Sequence, residues 1–453
     1  MSFLTDRLAR HALDIDVKRL PDKVSEMTLC CILDLLTAAI AGVGSTAPAA
    51  ALSVSERLYG PGCAPAWFTG HTSSLMSALL HNALAASALD LDDGSRSARG
   101  HPGASVIPTV LTLASTLAEI GSDDILAAIV AGYDVGVRIA AAQNTGAILT
   151  RQTGRWAAFA SAAAAGRLLK VAPEHLAEAL AIAGVIAPNQ RANGSSGYSR
   201  MTGNLVKEGI AFSSQLGLQA VFLAQAGFTG PIDLLDYEHF YDANRILDGL
   251  GERFEILDTY FKPYACCRYI HPALDAFRAL RHDHDIPADD IAEIEVEIFG
   301  FALRLANSPD PENLTALQYS LPYCLAVLAI LGEDALAPVK TCLLHRPELT
   351  ALASKIKLSV DPEAEALFPI RTAAKVNVVL KSETRVSSQL TYARGDPSEP
   401  MNIDALVAKF RHVTRGSLAQ AEGDRLTGSI GLLRQGHATE LLHLLEQCMC
   451  WND

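Results

Sequence analysis

Residues 89–115 read LDLDDGSRSARGHPGASVIPTVLTLAS, so Asp90, Asp92 and Asp93 are followed by Arg96, Arg99 and then His101. A carboxylate, a cation and an imidazole held within a dozen residues are what proton-transfer chemistry asks for. An imidazole titrates near neutrality and can take or give a proton, while a guanidinium fork fits a carboxylate. Two other readings of the stretch stay open. Clustered aspartates also suit a divalent cation, although the adjoining arginines make DLDD a poor cation cage. The bland alternative is an interhelical turn whose aspartates cap and whose histidine is only hydrogen-bonded.

Three further segments carry groups of the same kind. Lys207 falls in the first turn of a helix expected over 206–226, where the helix dipole disfavours a cation and calls for a reason. A surface lysine is the alternative. Cys266-Cys267-Arg268-Tyr269-Ile270-His271 puts thiol, guanidinium and imidazole on one segment. A Cys–His nucleophile is conceivable there, but Arg268 and His271 facing a site while the thiols pack is the favoured reading. Tyr323 opens an apolar helix, where a core tyrosine with a satisfied hydroxyl is the plain interpretation.

The elements that must position these residues change in texture along the chain. Alanine-rich helical runs at 3–14, 22–42, 45–59, 73–89, 104–120, 123–142, 156–169, 175–187 and 206–226 fill the first half. A Gly/Ser/Asn-rich loop interrupts them at 188–204. Asp34, within the second helix, reads as a buried packing or capping residue. Past residue 255 the pattern alternates: IAEIEVEIF, KIKLSV and KVNVVLKS read as strands, the last turning at Ser382–Glu383 into TRVSSQLTYAR. Helices are expected at 272–281, 313–331, 402–412 and 437–448. The fold class is therefore mainly α: a large all-helical domain, 1–264 completed by 399–453, plus a smaller α+β domain at 265–398.

Composition limits what this fold can serve. A net charge of −13 over 453 residues argues against nucleic-acid or anionic-membrane binding. An acidic protein can still bind an anion where cations gather, and Arg96, Arg99, Lys207, Lys262 and Arg268 all fall in the segments above. The nine cysteines form no paired CxxC, so neither a zinc cage nor a disulfide framework is expected. No secretory h-region opens the chain, and the apolar run at 29–43 is short and holds Asp34, so a cytoplasmic location is expected. Phosphate-cradle and GxSxG motifs are absent.

DLDD…RGHPGASVIP resembles the signature loop of the MmgE/PrpD family. NLVKEGIAF, AQAGFTGP, KPYACCRYIHPALDAF, SLPYCLAV and GDPSEPMNIDALVAKFR follow in that family's order and span most of the chain. The resemblance implies an active site of Asp90, His101, Lys207, His271 and Tyr323 in a cleft between the helical domain and a smaller α+β lid. It also implies a homodimer that needs no metal or organic cofactor and acts on di- and tricarboxylic acids. Arg99, Arg151 and Arg268 are the expected carboxylate-binding residues. Arg151 stands where many members carry a histidine, and arginine cannot serve as an acid or base at neutral pH. Gly94-Ser95 stands where decarboxylase-like members have a threonine. The expected activity is that of a dehydratase-type lyase on a citrate-like acid such as 2-methylcitrate. Cis-aconitate-type decarboxylation and iminodisuccinate-type epimerisation are the rivals within the family. A non-catalytic, carboxylate-binding homodimer is the rival outside it.

Overall fold

Alanine carries the highest helix propensity and lets helices approach closely, and the first half of the chain uses it where helices touch. The structure, a computed structural model, describes residues 2–189 and 203–447. Most of the expected 188–204 loop, with Cys448, Cys450 and the end of the last expected helix, lies outside those residues. The helices Ser122–Ala142, Thr153–Leu168 and Ile210–Gln225 pack side by side, with Leu75–Ser87, Gly103–Ala114 and Pro173–Ile186 around them. Two helices, Asp22–Gly42 and Ser122–Ala142, are long and apolar enough to cross a bilayer, yet 72% and 94% of their apolar windows are buried inside the protein. Their apolarity serves the core.

Two hydrophobic cores result. One runs from Leu4 to Phe261 and takes in Leu406, Phe410, Leu426, Leu433 and Leu445, so the C-terminal helices pack with the N-terminal ones. The other runs from Tyr264 to Val378 and includes Leu89, Leu91 and Val413. Its sheet orders Ile356–Val360, Ile291–Ile298, Ala373–Leu380 and Arg385–Ser387, the first pair parallel and the others antiparallel. Along Ile291–Ile298 the isoleucines and Val296 are buried while Glu293, Glu295 and Glu297 take the other face, as the alternation predicts. Glu383 has φ +68 in the predicted hairpin turn, where Leu380 and Thr384 close the loop.

The molecule is mainly α, as expected, but its first part is not all-helical, since Ala64–Ala66 pairs with His71–Ser73, and several runs differ from expectation. The 45–59 run splits into Thr46–Ser53 and Ser55–Tyr59. The 313–331 run breaks at Tyr319–Ser320, where the Ser320 side chain caps a second helix, Leu321–Leu331, by accepting from the Tyr323 N–H. A helix at Gln420–Leu432 was not expected, because Gly423, Gly428 and Gly431 depress its propensity.

Candidate active site

The DLDD loop sits where the two cores meet. Leu89 and Leu91 alternate with Asp90 and Asp92 and are buried in the second core, which fixes the loop between them. Asp90 turns the chain with φ +55. Gly94–Ser95 then pairs antiparallel with Thr259–Tyr260, which delivers Lys262 to the loop from 170 residues away in sequence. A Cβ on Gly94 would lie 2.3 Å from the Tyr260 ring, so this position has no room for a side chain. Asp93 starts the Gly103–Ala114 helix: its Oδ1 accepts from the Gly103 N–H at 3.0 Å and its Oδ2 accepts from the Tyr133 hydroxyl at 2.5 Å. Gly103 is required because a Cβ there would meet Asp93 Oδ1 at 2.6 Å.

Three more charged groups close on Asp90 and Asp92. Lys262 Nζ is 3.1 Å from Asp90 Oδ1 and 4.0 Å from Asp92 Oδ1. Lys207 Nζ reaches the same Asp90 oxygen at 3.9 Å while donating to the Ser87 carbonyl and to Gln318 Oε1. His101 lies between the carboxylates: Nδ1 is 3.0 Å from Asp92 Oδ2 and Nε2 is 3.6 Å from Asp90 Oδ1. Its Nδ1 also donates to the Asp93 carbonyl at 3.0 Å, which places that ring proton on Nδ1 in the neutral form. Burial works against the imidazolium, but Asp92 and Asp90 outweigh burial and Lys262, and the His101 pKa is raised. Burial likewise opposes the Asp90 carboxylate, but Lys262, Lys207 and His101 hold it well below the usual range. Asp93, with no cation at hand, is pushed up to about 7 by burial, the Tyr133 and Gly103 bonds notwithstanding.

Asp90 and His101 face a cavity of about 810 Å³. Five arginines, Arg96, Arg99, Arg151, Arg268 and Arg304, line it. Two share one carboxylate: Asp396 pairs with Arg96 and with Arg268, each at 2.6 Å. Among the described residues, Arg99, Arg151 and Arg304 have no carboxylate partner within ion-pair distance. Arg151 donates to the Ser97 and Ala140 carbonyls, and burial together with the nearby Arg99 lowers its pKa. Guanidinium groups so placed are an anion site.

The structure therefore brings Asp90, His101, Lys207, Arg99, Arg151 and Arg268 together, in altered roles. Lys207 precedes the Ile210–Gln225 helix, with φ +48, and so lies outside the first turn in which it was expected. It and Lys262 stand behind Asp90 and do not form cavity wall. Asp92 and the Asp93 carbonyl orient Nδ1 of His101, while Asp90 faces Nε2. His271 is fully buried away from the cavity: Nε2 donates to the Cys266 carbonyl at 3.2 Å and Nδ1 accepts from Arg268 at 3.4 Å. Burial and Arg268 push its pKa well down, so it is a neutral prop for Arg268 in place of the expected acid or base. Tyr323 is also fully buried outside the cavity wall, and its hydroxyl donates to the Leu343 carbonyl at 2.6 Å. The tyrosines that line the cavity are Tyr260, Tyr269 and Tyr319, the last beside the helix break at Ser320. Cys267 reaches the cavity, but burial raises its pKa and that of Cys266, which leaves both thiols poor nucleophiles.

Sequence reasoning did not assign Asp92, Lys262, Tyr319, Arg304 or Asp396 to the site. Two of them carried a signal, Lys262 as a lysine in KPYACC beside candidate residues and Asp396 as part of GDPSEP, a segment that carries the family resemblance. Asp90, Asp92 and His101 also offer ligand atoms within 4.8 Å of one another, a donor set a divalent ion can use. Lys262 already supplies positive charge between the two carboxylates, which disfavours a second cation there.

Comparison with known proteins places these features. The MmgE/PrpD N-terminal domain matches residues 6–244 and the MmgE/PrpD C-terminal domain matches residues 264–429. Cis-aconitate decarboxylase of Aspergillus terreus (strain NIH 2624 / FGSC A1156) is 25% identical over 486 aligned positions, covering 99% of this chain and 96% of its own length. Cis-aconitate decarboxylase of Homo sapiens is 26% identical over 351 positions, covering 73% of this chain and 70% of its own. With both domains matched in order across the helical core, the sheet and the DLDD loop between them, the chain belongs to the MmgE/PrpD family.

Proposed function

We propose that the protein is a lyase that decarboxylates an unsaturated tricarboxylic acid of the cis-aconitate kind. The observation that supports this best is His101, set between two carboxylates on a cavity whose other walls present arginines without a carboxylate partner among the described residues. The named activity of the similar proteins points the same way. Dehydration of a citrate-like acid needs an acid for the leaving hydroxyl and a base for the carbon proton. Of the two expected histidines only His101 meets the cavity, so that first expectation has less support than decarboxylation.

The chemistry follows from charge. Arg99 and Arg151 hold the retained carboxylates. The bond from the departing carboxylate to its methylene carbon breaks, and its electron pair forms the new double bond to the central carbon. The old double bond takes the His101 proton at the carbon bearing a retained carboxylate, carbon dioxide leaves, and solvent reprotonates the imidazole. Asp90 and Asp92 keep the imidazolium formed until that moment, and Lys207 and Lys262 keep Asp90 ionised beside it. Incubating chelator-treated enzyme with cis-aconitate, 2-methylcitrate and iminodisuccinate, followed by NMR, tests this. Decarboxylation of cis-aconitate alone is expected; water loss from 2-methylcitrate or epimerisation of iminodisuccinate in its place would transfer the site to that chemistry. Activity abolished by the chelator would restore a metal at Asp90, Asp92 and His101.

A further inference from the structure

A six-carbon tricarboxylate displaces about as much as five or six waters, roughly 150–180 Å³ at about 30 Å³ per water. The cavity is about 810 Å³. Part of the excess is a built apolar wall. Phe301 and Phe368 stack at 5.5 Å, and Tyr269 meets their edges at 5.6 and 5.8 Å. All three rings line the cavity, with Leu305 and Pro369 beside them. Carboxylates gain nothing from such a surface and lose hydration against it. Apolar carbon gains, and pockets that combine aromatic walls with a few polar anchors are those that take mixed ligands.

We infer that the acid taken by this cavity carries an alkyl or aryl substituent beyond its carboxylates, seated on Tyr269, Phe301, Phe368 and Leu305. The inference rests on the carboxylate-binding role of Arg99 and Arg151 and not on which bond the enzyme breaks. The competing use of the rings is as seats for cations, since Arg99 lies over Phe368 at 5.8 Å and Arg304 over Phe301 at 5.0 Å.

Calorimetric binding to the whole protein separates the two. The probes are succinates carrying a methyl, butyl or hexyl group at carbon 2. Each buried methylene should tighten binding about three- to fivefold, so butylsuccinate should bind at least tenfold more tightly than methylsuccinate. In Leu305→Asn or Phe301→Ala the dependence on chain length should flatten, while Arg151→Gln should weaken all three succinates alike. Affinity that stays level or falls from methyl to hexyl in the unmodified protein would overturn the inference and leave the rings as arginine seats. Failure of every succinate to bind would overturn it as well. Turnover of cis-aconitate is read separately, so a steep chain-length dependence without decarboxylation would remove the proposed activity and keep the substituent pocket.

Discussion

His101 titrates in a field set by burial and three neighbours, and the sign of each is testable. Burial and Lys262 lower its pKa, while Asp92 and Asp90 raise it. If the imidazolium is the proton donor, the rate declines as pH rises through that raised pKa. Asp92→Asn removes the largest raising influence, so the declining limb of the pH–rate profile should move to lower pH. An unmoved limb would mean that Asp92 does not set the donor. Asp93 behaves oppositely. Its carboxyl is protonated in the fold up to about pH 7 and ionised in the unfolded chain above about pH 4. The folded state therefore binds more protons across that window, and stability contributed by Asp93 falls as pH rises from about 4 to 7. Denaturant titrations of Asp93→Asn should show that decline flattened, because the amide keeps an acceptor for Gly103 and carries no charge. A decline as steep as the parent's would place its origin elsewhere.

At the scale of elements, the catalytic loop is held from below by a pair that touches no cavity. Lys409, on the Ile403–Val413 helix, donates to Asp34 Oδ1 at 2.6 Å and to the Leu91 carbonyl at 3.0 Å. Asp34 and Lys409 are buried, and burial pushes the carboxyl up and the amine down against their mutual attraction. Lys409→Met leaves Asp34 unpaired and should cost about 3–5 kcal/mol in unfolding free energy. The double variant Asp34→Leu/Lys409→Met should recover most of that loss, which a thermal or denaturant melt reads directly. Equal losses in the single and double variants would show that the pair is not the cause. Elements also explain what the sequence could not reveal. His101 and Asp90 were legible because they share one loop. Lys262 arrives only through the pairing of Gly94–Ser95 with Thr259–Tyr260, a contact no local pattern encodes. Tyr323 was named from the family resemblance, and Tyr319 was not considered; Ser320 and Pro322, a capping residue and a helix-opening proline, mark the helix break beside it. His271 and Lys207 were named from the family resemblance, and their burial and the start of the Ile210–Gln225 helix are not written in any local pattern.

For the whole molecule, the mainly helical class and the change to a sheet beyond residue 255 followed from periodicity, since 3.6- and two-residue repeats are written in the chain. Assembly is written less plainly. Phe212, Phe222 and Phe228 are 46%, 42% and 56% exposed on and just after the Ile210–Gln225 helix, and Tyr59 and Met76 border the same groove. An apolar face of this kind fits the homodimer expected from the family resemblance. Light scattering should report a dimer that Phe222→Glu converts to monomer; a monomeric parent protein would end that expectation.

Carbon dioxide release from cis-aconitate in D2O, compared between the parent enzyme and His101→Gln, tests the proposed chemistry most directly. The parent enzyme, free of added metal, should release carbon dioxide and give a product with one deuterium on the carbon beside a retained carboxylate. His101→Gln should be folded and slower by roughly 10²–10⁴-fold. Equal rates in the two proteins, or a parent enzyme that leaves cis-aconitate unchanged, would contradict a decarboxylase with His101 as its proton donor.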